Sequence, residues 1–193
     1  MASQLPIIFV TGGVRSGKSG YAEELAEKWW ITEPKGKLHY IATMQVTDSE
    51  LETRISHHQL GRKESGLPWY TWEKPTSIGE LANHFSKNDT VLLDCLTTWL
   101  NNELLVSGAW QNGEFRADLL NKMWCELQSI ASHVNKLIIV SNEVLSEPIA
   151  TNELVLFYCE LLGKLHQQIV RYASQAILVE VGIPVYMKGR EGI

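Results

Sequence analysis

Short apolar runs alternate with longer mixed stretches along the chain. Residues 5–11 (LPIIFVT), 38–43 (LHYIAT), 69–73 (WYTWE), 90–95 (TVLLDC) and 136–143 (KLIIVSNE) read as strands, the most apolar of them buried on both faces. Residues 19–30 place Tyr21, Leu25 and Trp29 on one side of a helix. Residues 48–62 predict a helix opened by Asp48 or Ser49, with Glu52 set for a capping box. Helical patterns also cover 77–85, 96–106, about 113–133 and 152–174, the last of them long and amphipathic. Residues 176–188 (AILVEVGIPVYMK) read as two closing strands broken at Gly182 and Pro184. This alternation predicts an α/β fold, a mostly parallel central sheet with helices on both faces, in one domain over residues 1–193. Such sheets bind ligands at the carboxyl ends of their strands, and the distinctive polar clusters of this chain lie at those ends.

The first of those ends is GGVRSGKS, Gly12 to Ser19. It satisfies G-x-x-x-x-G-K-[ST] between a strand and a helix, the pattern of a phosphate-binding loop, and so predicts a P-loop NTPase-like architecture. Gly12, Gly13, Val14, Arg15, Ser16 and Gly17 form the wrap. The glycines let the backbone close around phosphate oxygens, and successive N–H groups at a helix N-terminus supply positive field. Lys18 is expected on the β- and γ-phosphates and the Ser19 hydroxyl on Mg²⁺. Asp94, closing VLLD, is the expected acidic partner of the metal. SKND at 86–89 is close to the guanine-specific N-K-x-D but precedes a strand instead of following one, and reads as a turn.

RISHHQLGR, residues 54–62, sets two adjacent histidines between two arginines in a chain with six histidines. On a helix His58 shares the face of Leu51 and Ile55 and reads as a packing residue, whereas His57 falls on the polar side with Arg54. Neighbouring side chains point about 100° apart, which argues against the pair holding one metal ion. His57 keeps two readings: a solvated polar residue, or a nucleophile whose neutral imidazole attacks phosphorus, with Arg54 and Arg62 offsetting charge on the transferring group.

Composition narrows the partners. A formal charge of −5 gives no general attraction to nucleic acid or to an anionic membrane. No run approaches the roughly 18 apolar residues of a membrane span, and MASQLPIIFV lacks the basic start of a signal peptide. Cys95, Cys125 and Cys159 have no C-x-x-C spacing and read as reduced core residues, in keeping with a cytoplasmic protein. The seven tryptophans read as core and interface area.

VTGGVRSGKS, YIAT, RISHHQLGR, WYTWE, VLLDCLTTWLNN, VSNEV and VGIPVYMK together resemble, in order and over nearly the whole chain, the bifunctional adenosylcobinamide kinase/adenosylcobinamide-phosphate guanylyltransferase family of cobalamin biosynthesis. The loop alone is common to many kinases; GG-x-RSGKS with R-I-x-HH and LLDCLT is far more specific. The resemblance implies a first step in which a nucleoside triphosphate, ATP or GTP, phosphorylates the aminopropanol hydroxyl of adenosylcobinamide. It implies a second in which GMP passes from GTP to that phosphate through a GMP–histidine intermediate at the position of His57. It also implies nucleotide contacts at the loop, at Ala42, Thr43 and Met44, at His58, Gln59, Leu60 and Gly61, and at Glu73 and Asp94, with Mg²⁺ on Ser19 and Asp94 and a homotrimeric assembly. A P-loop kinase without guanylyl transfer, or a nucleotide-binding module without catalysis, are the other readings.

The chain departs from the family after VSNEV. The usual glycine-rich G-x-G-I-V-P, the Arg-x-Phe-Arg-Asp helix and the Asn of N-Q-x-[LI]-A are replaced by LSEPIATNELVLFYCELLGKLHQQIV. Loss of two cations is expected to weaken contact with the substrate phosphate or a neighbouring subunit. His166, standing where the Asn is expected, reads as an ordinary helix residue or as a substitute polar contact.

Overall fold

Seven strands hydrogen-bond into one sheet, ordered β3-β2-β4-β5-β1-β6-β7, in the computed structural model, which describes residues 4–32, 36–44, 62, 64–107, 113–144 and 152–190. The strands are β1 (Leu5–Gly12), β2 (Leu38–Ala42), β3 (Trp69–Glu73), β4 (Thr90–Asp94), β5 (Lys136–Asn142), β6 (Ala173–Glu180) and β7 (Ile183–Lys188). The helices are α1 (Lys18–Thr32), α2 (Leu96–Ser107), α3 (Gly113–His133) and α4 (Glu153–Tyr172), with a 3₁₀ helix over Ile78–His84. All pairings are parallel except β6 with β7. The mostly parallel α/β sheet expected from the alternation is therefore what forms.

Alternation along β1 sets the two layers. Ile7 and Phe9 pack on one face with Trp99, Met123, Leu127 and Leu165 from α2, α3 and α4. Ile8 and Val10 pack on the other with Ala22, Leu25 and Ala26 of α1. Each fully buried aliphatic side chain stabilises by about 1.5–3 kcal/mol, so a strand apolar at every position is held from both sides. The small residues on α1 let that helix sit close to the sheet, directly behind the loop that precedes it.

Several boundaries differ from the pattern. The segment read as helix 77–85 is the 3₁₀ helix, because tertiary carboxylates capture its first N–H groups: Glu103 accepts from Ser77 at 2.7 Å and Glu126 from Gly79 at 2.8 Å. The helix read to 174 stops at Tyr172, since Ala173 turns extended and enters β6. Pro184 does not break a strand; it pairs with Val179 inside β7, an edge strand where a missing N–H is tolerated. The reversal lies before it, at Val181 and Gly182, with φ of 53° and 79°. Of the three cysteines only Cys95 is buried; Cys125 is exposed and Cys159 half-buried, on outward positions of α3 and α4. The predicted helix 48–62 lies outside the described residues except for Arg62.

His166 is not an ordinary helix residue. It points inward from α4, with Nε2 2.8 Å from the Ser141 hydroxyl on β5 and its ring edge-on to Phe9 at 5.0 Å. Burial pulls its pKa down to about 4, against the opposing pull of Glu143. The unfolded chain therefore takes up a proton near pH 6.5 that the folded chain refuses until about pH 4. Its contribution is complete above pH 6.5 and is lost as pH falls toward 4, by about 3 kcal/mol at most. Urea denaturation at intervals between pH 7 and pH 4 is expected to show this loss in the wild type and a shallower dependence in His166→Gln.

Candidate functional site

The turn from β1 into α1 is fixed by lack of space. A Cβ on Gly12 would lie 2.4 Å from the Val179 carbonyl oxygen and 2.6 Å from Ser16 Oγ, so only glycine fits. Gly17 has φ of 89°, and a Cβ there would meet Gly182 Cα at 3.3 Å. Arg15, without glycine's freedom, also sits in the left-handed region at φ 61°. The loop is held on two sides: the Glu143 N–H donates to the Gly12 carbonyl at 2.9 Å, and the Gly182 N–H donates to the Ser16 carbonyl at 2.8 Å. It is thus wedged between the end of β5 and the β6–β7 reversal.

Inside this wrap Lys18 is buried and donates from Nζ to the Gly13 carbonyl at 3.1 Å. Ser19 follows in the first turn of α1, which carries no acidic residue to oppose an anion. Gly13, Val14 and Arg15 are exposed along the rim. The side-chain oxygens of Thr11 and Ser16 are buried without a hydrogen-bond partner among the described residues. Cramped glycines, a buried ammonium and a helix N-terminus make an oxyanion cradle.

A second cluster gathers where β3, β2 and β4 end. Register places Ala42 between Glu73 on one side and Asp94 on the other. Glu73 is exposed and Asp94 half-buried. Asp94 accepts from the Tyr40 hydroxyl at 3.1 Å, and burial together with that carboxylate drives the Tyr40 pKa far above its ordinary value. The peptide bond from Asp94 to Cys95 is cis. Thr43 clasps it: its hydroxyl donates to the Cys95 carbonyl and accepts from the Cys95 N–H, both at 2.9 Å, while its own N–H donates to the Asp94 carbonyl at 3.1 Å. Asn102 Nδ2 in turn donates to the Thr43 carbonyl at 2.8 Å. The hydroxyl of Thr43, a residue expected to contact nucleotide, is thus engaged by the protein itself. Met44 follows, half-buried.

Arg62 has a role that its neighbourhood in the chain does not reveal. It is 5% exposed, donates to Glu23 of α1 at 2.7 Å, and lies over the Tyr40 ring with 3.7 Å between guanidinium carbon and ring centre. Glu23, Arg62, Tyr40 and Asp94 therefore form one continuous contact from α1 to the end of β4. His57, His58, Gln59, Leu60 and Gly61 lie outside the described residues.

The sequence reading passed over a group of polar residues beside Asp94. Thr97, Thr98 and Asn101 line a cleft of about 600 Å³ with Asn142 and Tyr158. Asn142 Nδ2 donates to Thr97 Oγ1 at 3.0 Å, and the Tyr158 hydroxyl donates to the Thr97 carbonyl at 3.0 Å. Small polar residues recurring in LTTWLNN directly after a strand-end carboxylate were the available signal. Cys95, the only buried thiol, is hydrogen-bonded to Thr97 and Thr98, and burial raises its pKa, which makes it a packing group and not a nucleophile. Among the described residues no group of three or more His, Cys, Asp or Glu is placed to hold a metal ion, and no helix is long and apolar enough to cross a membrane.

The CobU family, cobinamide kinase / cobinamide phosphate guanyltransferase, matches residues 8–187. The bifunctional adenosylcobalamin biosynthesis protein CobU of Escherichia coli is 33% identical over 94% of this chain and 99% of its own length. The protein of the same description from Salmonella typhimurium is 29% identical, over 94% of this chain and 99% of its length. The bifunctional adenosylcobalamin biosynthesis protein CobP of Pseudomonas aeruginosa is 32% identical over 93% of this chain and 96% of its length.

Two substitutions test the two clusters. Thr43→Val leaves both polar groups of Cys95 without their partner and is expected to cost about 1–3 kcal/mol, read from urea midpoints. Lys18→Ala is expected to keep the wild-type circular dichroism spectrum and to lose about tenfold or more in affinity for a fluorescent GTP analogue, since a charge-assisted hydrogen bond contributes about 1.5–3 kcal/mol.

Proposed function

We propose a function from the premise that this chain belongs to the cobinamide kinase / cobinamide phosphate guanyltransferase family. It is an adenosylcobinamide kinase and an adenosylcobinamide-phosphate guanylyltransferase of cobalamin biosynthesis. In the first reaction the aminopropanol hydroxyl of adenosylcobinamide attacks the γ-phosphorus of ATP or GTP. The new O–P bond replaces the bond to the departing nucleoside diphosphate, and the hydroxyl proton is released. In the second, an imidazole nitrogen of His57 attacks the α-phosphorus of GTP, and pyrophosphate leaves. The phosphate oxygen of the first product then attacks that phosphorus, the N–P bond breaks, and adenosylcobinamide-GDP forms with the histidine regenerated.

The observation that carries this reading is the cradle at Gly12–Ser19, whose cramped glycines and buried Lys18 suit phosphate oxygens, with the Asp94 carboxylate closing β4 two strands away. Lys18 withdraws charge from the phosphates, and the loop N–H groups orient them. Ser19 and Asp94 offer the hard oxygen ligands that suit Mg²⁺, which keeps most of its waters and needs few protein donors. When bound, the ion neutralises charge on the phosphate oxygens. Gly13 through Gly17, Ala42, Thr43, Met44 and Glu73 complete the proposed nucleotide contacts, with His58, Gln59, Leu60 and Gly61 beside the nucleophile.

Covalent geometry supports His57. Arg62 is anchored on Glu23 and Tyr40, and five residues span at most about 18 Å. In sequence, His57 stands five residues before an arginine that is fixed beside Tyr40 and Asp94. A homotrimer and a cytoplasmic location complete the proposal. The edge strand β7 exposes Ile183, Val185 and Met187, an apolar row suited to an interface, and the cysteines are free.

One observation favours a second reading, phosphorylation without guanylyl transfer. In place of the family's arginines, Phe157 is buried under the Arg116 guanidinium, 4.1 Å from its ring centre, and Tyr158 bonds to α2. α-Labelled GTP separates the two. The wild type is expected to acquire acid-labile, alkali-stable label that His57→Ala lacks, while His57→Ala keeps γ-phosphoryl transfer to adenosylcobinamide. Label persisting in His57→Ala removes the histidine from the mechanism. Phosphorylation with no label in the wild type selects the kinase alone.

A further inference from the structure

Resting on that proposed activity, we infer that the cleft between α2 and α4 seats the amide-fringed macrocycle of the acceptor, holding it where its hydroxyl arm reaches the phosphate loop. The cleft measures about 600 Å³, within the usual range for small-molecule sites. Its polar lining is Thr97, Thr98, Asn101, Asn142 and Tyr158. Its apolar lining is Leu104, Leu105, Val144, Leu154 and Val155. Among the described residues that line it, none carries a charge.

That neutrality decides what the cleft takes. Phosphate oxygens seek cations or helix N–H groups, and those are provided at Lys18 and the loop. A neutral cleft lined by amides, hydroxyls and aliphatic side chains suits a molecule with hydrocarbon edges and carboxamide arms. Each carboxamide brings both donors and an acceptor, which amide and hydroxyl side chains can meet without ionic cost.

Position supplies the second argument. Asn142 is the register partner of Gly12, where the loop begins, and the next residue, Glu143, donates its N–H to the Gly12 carbonyl. Thr97 lies three residues beyond Asp94. The cleft therefore lies against the ends of β4 and β5, on the side of the loop away from β6. The loop's other flank is occupied by the β6–β7 reversal through Gly182. A macrocycle cannot enter the cramped loop itself, so it needs a seat beside it, and this cleft adjoins the end of β5, the strand paired with the start of the loop.

Leu105 and Val155 are 67% and 40% exposed, so each accepts a carboxylate without disturbing the core. Leu105→Asp and Val155→Asp are expected to raise the KM for adenosylcobinamide tenfold or more. Affinity for a fluorescent GTP analogue should stay within twofold, and Val106→Asp, 78% exposed outside the lining, should match the wild type. Asn101→Ala should raise the same KM by a smaller factor. Wild-type acceptor KM in both aspartate variants overturns the inference and leaves the proposed activity standing. Weakened GTP binding in step with the acceptor KM overturns it in favour of a nucleobase site. A changed sedimentation coefficient with unchanged KM overturns it in favour of a contact between copies. A wild type that turns over no cobinamide overturns the proposed activity, and the inference with it.

Discussion

No side chain fits between Gly12 and the carbonyl of Val179. That single steric limit holds the phosphate loop. It brings β1 close to β6, and so lets the first turn of α1 stand over the carboxyl end of the central strand. Much else follows from keeping that place clear. β1 is apolar on both faces and is clamped by α1 on one side and by α2, α3 and α4 on the other. The glycine and the β6–β7 reversal are then the two points at which chain closeness is converted into a cavity for an anion. In a cradle shaped by such close contacts the N–H groups are already directed inward, so little reorganisation is left to do when charge develops on phosphate.

The second dependence is a set of buried polar contacts that join elements far apart in the chain. Glu23, Arg62 and Tyr40 pass from α1 to β2, and Asp94 ends the series on β4. Thr43 and Asn102 hold the neighbouring strand ends and α2 in register. Buried polar links of this sort contribute little net stability when complete, yet breaking one partner of a buried ion pair costs about 3–5 kcal/mol. Their value is positional: they set where the Asp94 carboxylate stands relative to the loop.

Charge varies over the working end of the sheet: Lys18 sits in the loop, Glu73 and Asp94 end β3 and β4, and the described lining of the cleft between α2 and α4 carries no charge. A transferase with an anionic donor and an amide-rich acceptor needs such variation, since each desolvated polar group is costly without its own kind of partner.

Much was legible because it is local. Strand and helix periods, the loop and the strand-end carboxylates are set by a few consecutive residues, and the α/β sheet with its phosphate site follows from them. Boundaries such as Ser77, taken by Glu103, or Pro184, admitted by an edge, were decided by residues far off in the chain. So was the fate of single polar side chains. Nothing within several residues of Arg62 says that it will lie on Tyr40, nor around His166 that it will meet Ser141 and turn neutral, nor around Thr43 that its hydroxyl will close on Cys95. The sequence by itself determined the kind of elements and the chemistry at their ends. Only tertiary packing decided which polar groups are consumed by the protein and which face a cleft, because burial and partnership depend on neighbours brought together by the sheet.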